Sequence, residues 1–78
     1  MKAAEYNSVI PKNISRIIES KGFKQIAIAE KAGFTARAFS DMMNGRRLIK
    51  VLDIIKISEV LGVTPNELFA VEDYDKVG

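Results

Sequence analysis

Gln25-Ile26-Ala27-Ile28-Ala29-Glu30-Lys31-Ala32-Gly33-Phe34-Thr35-Ala36-Arg37-Ala38-Phe39-Ser40-Asp41-Met42-Met43-Asn44 is the stretch whose reading decides the fold. Apolar residues recur at helical spacing on both sides of Gly33-Phe34. A glycine just past one apolar run is a stop signal, and a threonine just before the next is a start. The pattern therefore predicts two short helices, 25–32 and 36–44, joined by a tight corner. Gly45-Arg46-Arg47 closes the second.

Each of these helices is two-faced. Ile28 and Ala32 stand four apart with Ala29 beside them, and that methyl group lets a second helix cross closely. In the second helix Phe39, with Met42 and Met43 at i+3 and i+4 and Ala36 at i−3, forms an inward face. A methionine pair beside an aromatic ring is core filling. The opposite side carries Arg37, Ser40, Asp41 and Asn44 and is polar over two turns. A small domain needs such a face only where it meets water or a polar partner.

Upstream, residues 1–7 lack periodicity and are expected to form a flexible N-terminal arm. Ser8 reads as an N-cap, with Val9-Ile10-Pro11 as a first turn, where a missing N–H costs little. Ile10, Ile14, Ile17, Ile18 and Lys21 then mark one face of a first helix. Gly22 ends it, and Phe23 is expected to fold back onto the core. Downstream, Arg46-Arg47-Leu48-Ile49-Lys50 is a basic loop holding two apolar residues. A fourth helix is predicted over 51–61, with Val51, Ile54, Ile55, Ser58 and Leu61 along one side and Ile57 beside them. Gly62 stops it. Thr64-Pro65-Asn66-Glu67 joins N-cap, proline at the first helical position and a glutamate three residues on, a capping box. Leu68 and Phe69 are the apolar residues of a short fifth helix. Four of the five glycines follow a predicted helix, so an all-α, compact five-helix bundle with short connections is expected. The domain spans 8–71, and 72–78 is an acidic tail.

Composition narrows the function. Seventy-eight residues with 47% apolar content make one small domain. With neither Cys nor His, thiolate metal sites, disulfides and the commonest general base are all missing. The fold must rest on packing alone, which suits a reducing cytoplasm. No uncharged run reaches the roughly 18 residues of a membrane span, and the N-terminus lacks the apolar run of a signal peptide. A soluble chain without membrane partner, cofactor, metal or evident small-molecule ligand is expected. The formal charge of +2 is unevenly distributed. Residues 1–23 hold four Lys/Arg against two acids, 24–50 hold six against two, and 51–78 hold two against six. Positive charge is thus concentrated on the two central helices, a polarity that would orient the domain on a polyanion.

Helix, glycine-containing turn, helix is the layout of the DNA-binding helix-turn-helix. The chain also resembles the phage repressor and Cro-like (XRE-type) family over 10–69. The resemblance is carried by Ile14 and Ile17, Lys21-Gly22-Phe23 before Gln25, Ile28-Ala29-Glu30-Lys31-Ala32-Gly33-Phe34-Thr35, Phe39-Ser40, Asn44-Gly45-Arg46, Leu61-Gly62-Val63-Thr64 and Glu67-Leu68-Phe69. Each piece is weak alone; the ordered set at family-like spacing is specific. It implies a lambda-repressor-like bundle whose helices 2 and 3 form the helix-turn-helix, with helix 3 entering the major groove. It further implies a phosphate contact at Gln25, base edges facing Ala36, Arg37 and Asp41, and phosphates at Asn44 and Arg46. The chain departs from the family in three places. Lys24 stands where a small capping Ser or Thr is usual, Ala36 offers only a methyl group, and Leu48-Ile49 replaces a polar loop.

The chemistry of these residues fits that expectation. Arg37 can bond guanine O6 and N7 together, and Ala36 can touch a thymine methyl. Asp41 either accepts from cytosine N4 or pairs with Arg37 one turn back. Ser40 and Asn44 can each reach base or phosphate. Gln25 can bond a phosphate at a helix start, and Lys24, Arg46, Arg47 and Lys50 would add sequence-independent attraction. One such domain covers little DNA, so a homodimer on a palindromic operator is expected, with Ile18, Ile26, Leu48, Ile49 and Ile55 as candidate contacts. The leading expectation is a cytoplasmic bacterial or prophage-type transcriptional regulator that associates with the nucleoid when bound. With only a short tail after helix 5, it would act by occupancy, as a repressor ahead of an activator. The second reading is a protein-interaction module, such as an antitoxin or accessory protein, gripping its partner through the acidic tail or the Leu48-Ile49 loop. An enzyme is disfavoured because no catalytic constellation can be built. RNA binding is disfavoured because the aromatic residues form no stacking platform.

Overall fold

Local signals set most of the helix boundaries. The computed structural model describes residues 3–70, with side chains from Val9 onward. Five helices follow one another: α1 (Ala3–Lys21), α2 (Gln25–Lys31), α3 (Ala36–Met43), α4 (Val51–Leu61) and α5 (Pro65–Phe69). There is no strand among the described residues. Met1, Lys2 and the expected acidic tail lie outside them.

The α2–α3 corner shows how the turns are made. Gly33 N–H donates to Glu30 O at 3.1 Å and Phe34 N–H to Ala29 O at 2.8 Å. These are the two bonds of a Schellman closure, satisfying carbonyls that the helix end would leave unpaired. The closure needs a left-handed residue, and Gly33 supplies it at φ +85°. The same bond pair ends α1, α3 and α4. Thr35 then starts α3: its Oγ1 accepts from Ala38 N–H at 3.0 Å. Thr35→Ala should remove this cap and lower stability by about 1 kcal/mol in urea titration.

The core collects Ile10, Ile14 and Ile18 from α1, Ile28 and Ala29 from α2 with Ala32 behind them, and Phe39 and Met42 from α3. Ile54, Ile57 and Leu61 from α4 and Leu68 from α5 complete it. α1 packs on α5 and α3, α2 on α3 and α4, and α4 on α5. Phe34 is half-buried, its ring centroid 6.1 Å from that of Phe39 at a 45° tilt. This brings the corner onto the same core that α3 enters.

Polar groups tie the middle of α1 to the end of α5. Asn13 is buried, and its Nδ2 donates at 2.8 Å to both Leu68 O and Ala70 O. Its Oδ1 accepts from Arg16 Nη2 at 3.0 Å. At the start of α5 the Glu67 carboxylate accepts from Thr64 N–H at 2.7 Å and from the Thr64 hydroxyl at 3.2 Å, so the glutamate half of the expected capping box is present. Asp53 does the same for α4, accepting from Lys50 N–H at 3.0 Å.

Four expectations need correction. α1 begins at Ala3, not at Ser8, which places Pro11 inside the helix. A proline there forfeits a backbone bond and crowds the preceding turn, at a cost of about 3 kcal/mol. The Pro11 ring is buried, however, and that burial offsets part of the cost. Phe23 is exposed, although its N–H reaches Ile18 O at 3.0 Å: the backbone returns to the helix while the ring stays outside. On α4 the inward side is Ile54, Ile57, Ser58 and Leu61, while Val51 and Ile55 face out. Seven of the eleven α4 residues are apolar, so periodicity defines its buried arc poorly. Ile18, a candidate for contact between copies, is a core residue.

Candidate nucleic-acid interface

α3 is anchored by one side and open on the other. Phe39 and Met42 are buried, and Met43 packs partly against the core. Ala36, Arg37 and Asn44 are exposed, and Ser40 and Asp41 are half-buried between them. The polar face read from the sequence is therefore the outward face of this helix. The Arg37 side chain is 90% exposed, standing in the first turn.

Two of the outward residues link into a small charge cluster. Asp41 Oδ2 lies 3.8 Å from Arg37 Nε, and Asp41 Oδ1 lies 3.9 Å from Arg46 Nη1. Of the two roles left open for Asp41, the pairing with Arg37 is therefore made in the free chain, and Arg46 joins it. These distances are long for ion pairs and both guanidiniums are open to solvent, so each is worth little in water. The Asp41 side chain is itself only 27% exposed. Its carbonyl is also engaged, accepting from Arg46 N–H at 2.8 Å and Arg47 N–H at 3.2 Å. The turn after α3 is thereby wrapped onto the helix end. Gly45, at φ +77°, is the left-handed residue that permits this wrap.

Ser40 and Asn44 form a second pair. Asn44 Nδ2 donates to Ser40 O at 2.9 Å and to Ser40 Oγ at 3.3 Å. The amide nitrogen is thus tied back along the helix.

The remaining predicted residues are all exposed. Lys24 and Gln25 stand at the start of α2, where Lys24 occupies the N-cap position without a side-chain cap. A lysine has no acceptor to offer an N–H, which is the physical content of the departure noted there. Arg47 is exposed beyond α3, and Lys50 is exposed at the N-cap of α4. Besides Phe23, two exposed residues were absent from the sequence-derived set of surface apolar positions: Val51 and Leu52. The available signal was their spacing, three and four residues after Leu48 and before Ile55.

Chemically, the face offers a guanidinium at the start of a helix, a carboxylate with two cationic neighbours, small polar groups, and a rim of lysine and arginine. Among the described residues no group of three metal-ligating side chains occurs. No helix among them is long and apolar enough to cross a membrane.

With this geometry in place, comparison with known proteins gives a consistent result. The helix-turn-helix family matches residues 14–68, most of the chain. The protein belongs to that family, of the phage repressor and Cro-like (XRE) type, a DNA-binding class that is not enzymatic. Among curated proteins it is similar to an uncharacterized HTH-type transcriptional regulator, y4dJ, of Sinorhizobium fredii (strain NBRC 101917 / NGR234). The two are 26% identical over 74 residues, covering 95% of this chain and 96% of the relative. No solved structure gives a significant match.

Proposed function

We propose that this protein is a transcriptional regulator that binds operator DNA as a homodimer, reads the major groove with α3, and acts by occupancy as a repressor. The observation that carries the proposal is the outward face of α3. A helix held from behind by Phe39 and Met42 presents Arg37, Ser40, Asp41 and Asn44 to solvent. A major groove admits one α-helix and is read by donors and acceptors near its N-terminal end.

Roles divide by position. Arg37 and Ala36, in the first turn, are the base readers, with Ser40 and Asp41 one turn further on. Lys24, Gln25, Asn44, Arg46, Arg47 and Lys50 hold phosphates. Reading guanine through Arg37 requires the guanidinium to leave Asp41 or to share it. Its near-complete exposure and weak pairing make that inexpensive.

Selection from a random duplex pool at two ionic strengths tests this. Arg37→Ala should relax base preference at one position by roughly 1–3 kcal/mol, with non-specific affinity largely kept. Arg46→Ala should weaken all sequences alike and lower the salt slope by about 1. Identical behaviour of the two variants would refute the division into readers and anchors. Absence of salt-sensitive duplex binding, with a stable protein partner recovered instead, would select the interaction-module reading. The open apolar surface at Leu48 and the start of α4 gives that second reading its support.

A further inference from the structure

We propose that Asn44-Gly45 is a self-modification site: when the turn after α3 opens, the Asn44 amide is lost as ammonia, and the carboxylate that replaces it weakens DNA binding. The Gly45 backbone nitrogen gives up its proton and attacks the Asn44 side-chain carbonyl carbon. A C–N bond forms, a five-membered succinimide ring closes, and Nδ2 departs with that proton as ammonia. Water then opens the ring at one of its two carbonyls. Opening at the side-chain carbonyl gives aspartate at position 44. Opening at the backbone carbonyl gives isoaspartate, whose main chain runs through the former side chain. One water is consumed and one ammonia released, and no other reactant is needed.

The sequence singles out this position. Asn-Gly occurs once in the chain, and the other asparagines precede Ser8, Ile14 and Glu67. A side chain on the following residue crowds the attacking nitrogen, and glycine has none. Asn44 and Gly45 are both exposed, so water reaches the ring. A Cβ placed on Gly45 would meet no atom within 4 Å, which leaves the space around the reacting atoms open.

The fold holds the reaction back. At Asn44 ψ is 6°, which turns the Gly45 nitrogen away from the side chain, so the ring closes only after this dihedral rotates. Rotation carries the following backbone with it. It breaks the bond from Gly45 N–H to Met42 O at 3.3 Å and those from Arg46 and Arg47 N–H to Asp41 O at 2.8 and 3.2 Å. The Asn44 amide is itself held, donating to Ser40 O at 2.9 Å. The rate therefore follows the opening of one turn, a local event that costs less than global unfolding.

The consequences for DNA rest on the operator reading above, whereas the reaction itself does not. On that reading Asn44 and Arg46 hold phosphates, so a bound duplex keeps the same turn closed and slows the reaction. The product carboxylate has no donor for Ser40, stands at the negative end of α3 and lies three residues from Asp41. It also repels the phosphate that the amide could bond. In isoaspartate the extra main-chain carbon displaces Arg46 as well.

In the test, the full chain is incubated in native buffer, with excess pool-selected duplex, and in urea, and its peptides are mapped by mass. Conversion of amide to acid should appear at Asn44, at least about tenfold slower in the folded chain than in urea. Duplex at about ten times its Kd should slow it roughly tenfold more. Asn66, exposed but followed by Glu67, should stay unchanged over the same period. Asn44→Gln, which closes no five-membered ring, should abolish the signal at position 44. Binding is read well below each variant's melting temperature. Asn44→Asp should bind every duplex at least about tenfold more weakly than the natural chain, and more weakly than Asn44→Ala, which loses the same hydrogen bonds without gaining charge. No conversion at Asn44 in urea, or equal rates folded and unfolded, overturns the proposal. So does Asn44→Asp that binds as well as Asn44→Ala, or a duplex that binds without slowing the reaction. Conversion gated by folding, in a chain that binds no duplex, keeps the modification site and removes the operator reading instead.

Discussion

Phe39→Ala is expected to lower stability by about 3–5 kcal/mol and to abolish DNA binding together with the fold. Phe39 is among the largest fully buried side chains and comes from the helix that presents Arg37. Removing the ring withdraws apolar area from the core and leaves a cavity, since neighbours relax only partly. The tilted contact with Phe34 goes with it. A domain of this size holds a stability near the lower end of the usual 5–15 kcal/mol, so the loss is a large share of the whole. Phe39→Leu, which keeps most of the volume, should cost about 1.5 kcal/mol or less and retain duplex binding. Urea titration of both variants checks the argument. A Phe39→Ala loss below about 1 kcal/mol would mean that α3 is not held from behind as described.

Asn13→Ala should cost about 2–3 kcal/mol, more than an ordinary polar-to-alanine change. The Asn13 amide serves two carbonyls, Leu68 O and Ala70 O, each at 2.8 Å. The bond to Leu68 O is buried, so no water can readily take its place. The Ala70 bond is only partly buried, and water recovers some of that loss. Asn13→Asp distinguishes a specific donor from generic packing. The carboxylate has nearly the same shape but cannot donate to a carbonyl, and only its proximity to Arg16 compensates. Aspartate should therefore destabilise as well, despite matching asparagine in size. A variant as stable as the natural chain would show that the amide is not the tie between α1 and α5.

What could be read from sequence follows how local each determinant is. The Gly33 stop, the Thr35 cap and the polar face of α3 are each set within about eight residues and stand as expected, whereas Ala36, assigned to the inward face by its spacing from Phe39, is exposed. The Thr64–Glu67 pair is equally local. The start of α1 is not legible locally, because Ser8 and Pro11 carry start signals and the helix nevertheless runs through both. The inward side of α4 depends on which neighbour each isoleucine meets, and a helix with apolar residues on several sides hides that choice. Asn13 gave no signal, because its partners lie 55 and 57 residues away. At the candidate interface, the outward polar face was legible from spacing. The approach of Arg46 to Asp41 was not, since it depends on the path taken after Gly45.

The repeated glycine closures have a kinetic corollary. Because α1 to α4 end in the same compact reversal, most residues find their neighbours a few positions along the chain, and little long-loop closure entropy opposes assembly. The most distant closure is the return of α5 to the middle of α1. The loop-closure entropy opposing assembly is thus largest for the joining of α1 to α5, while the α1–α3 and α2–α4 contacts close shorter loops.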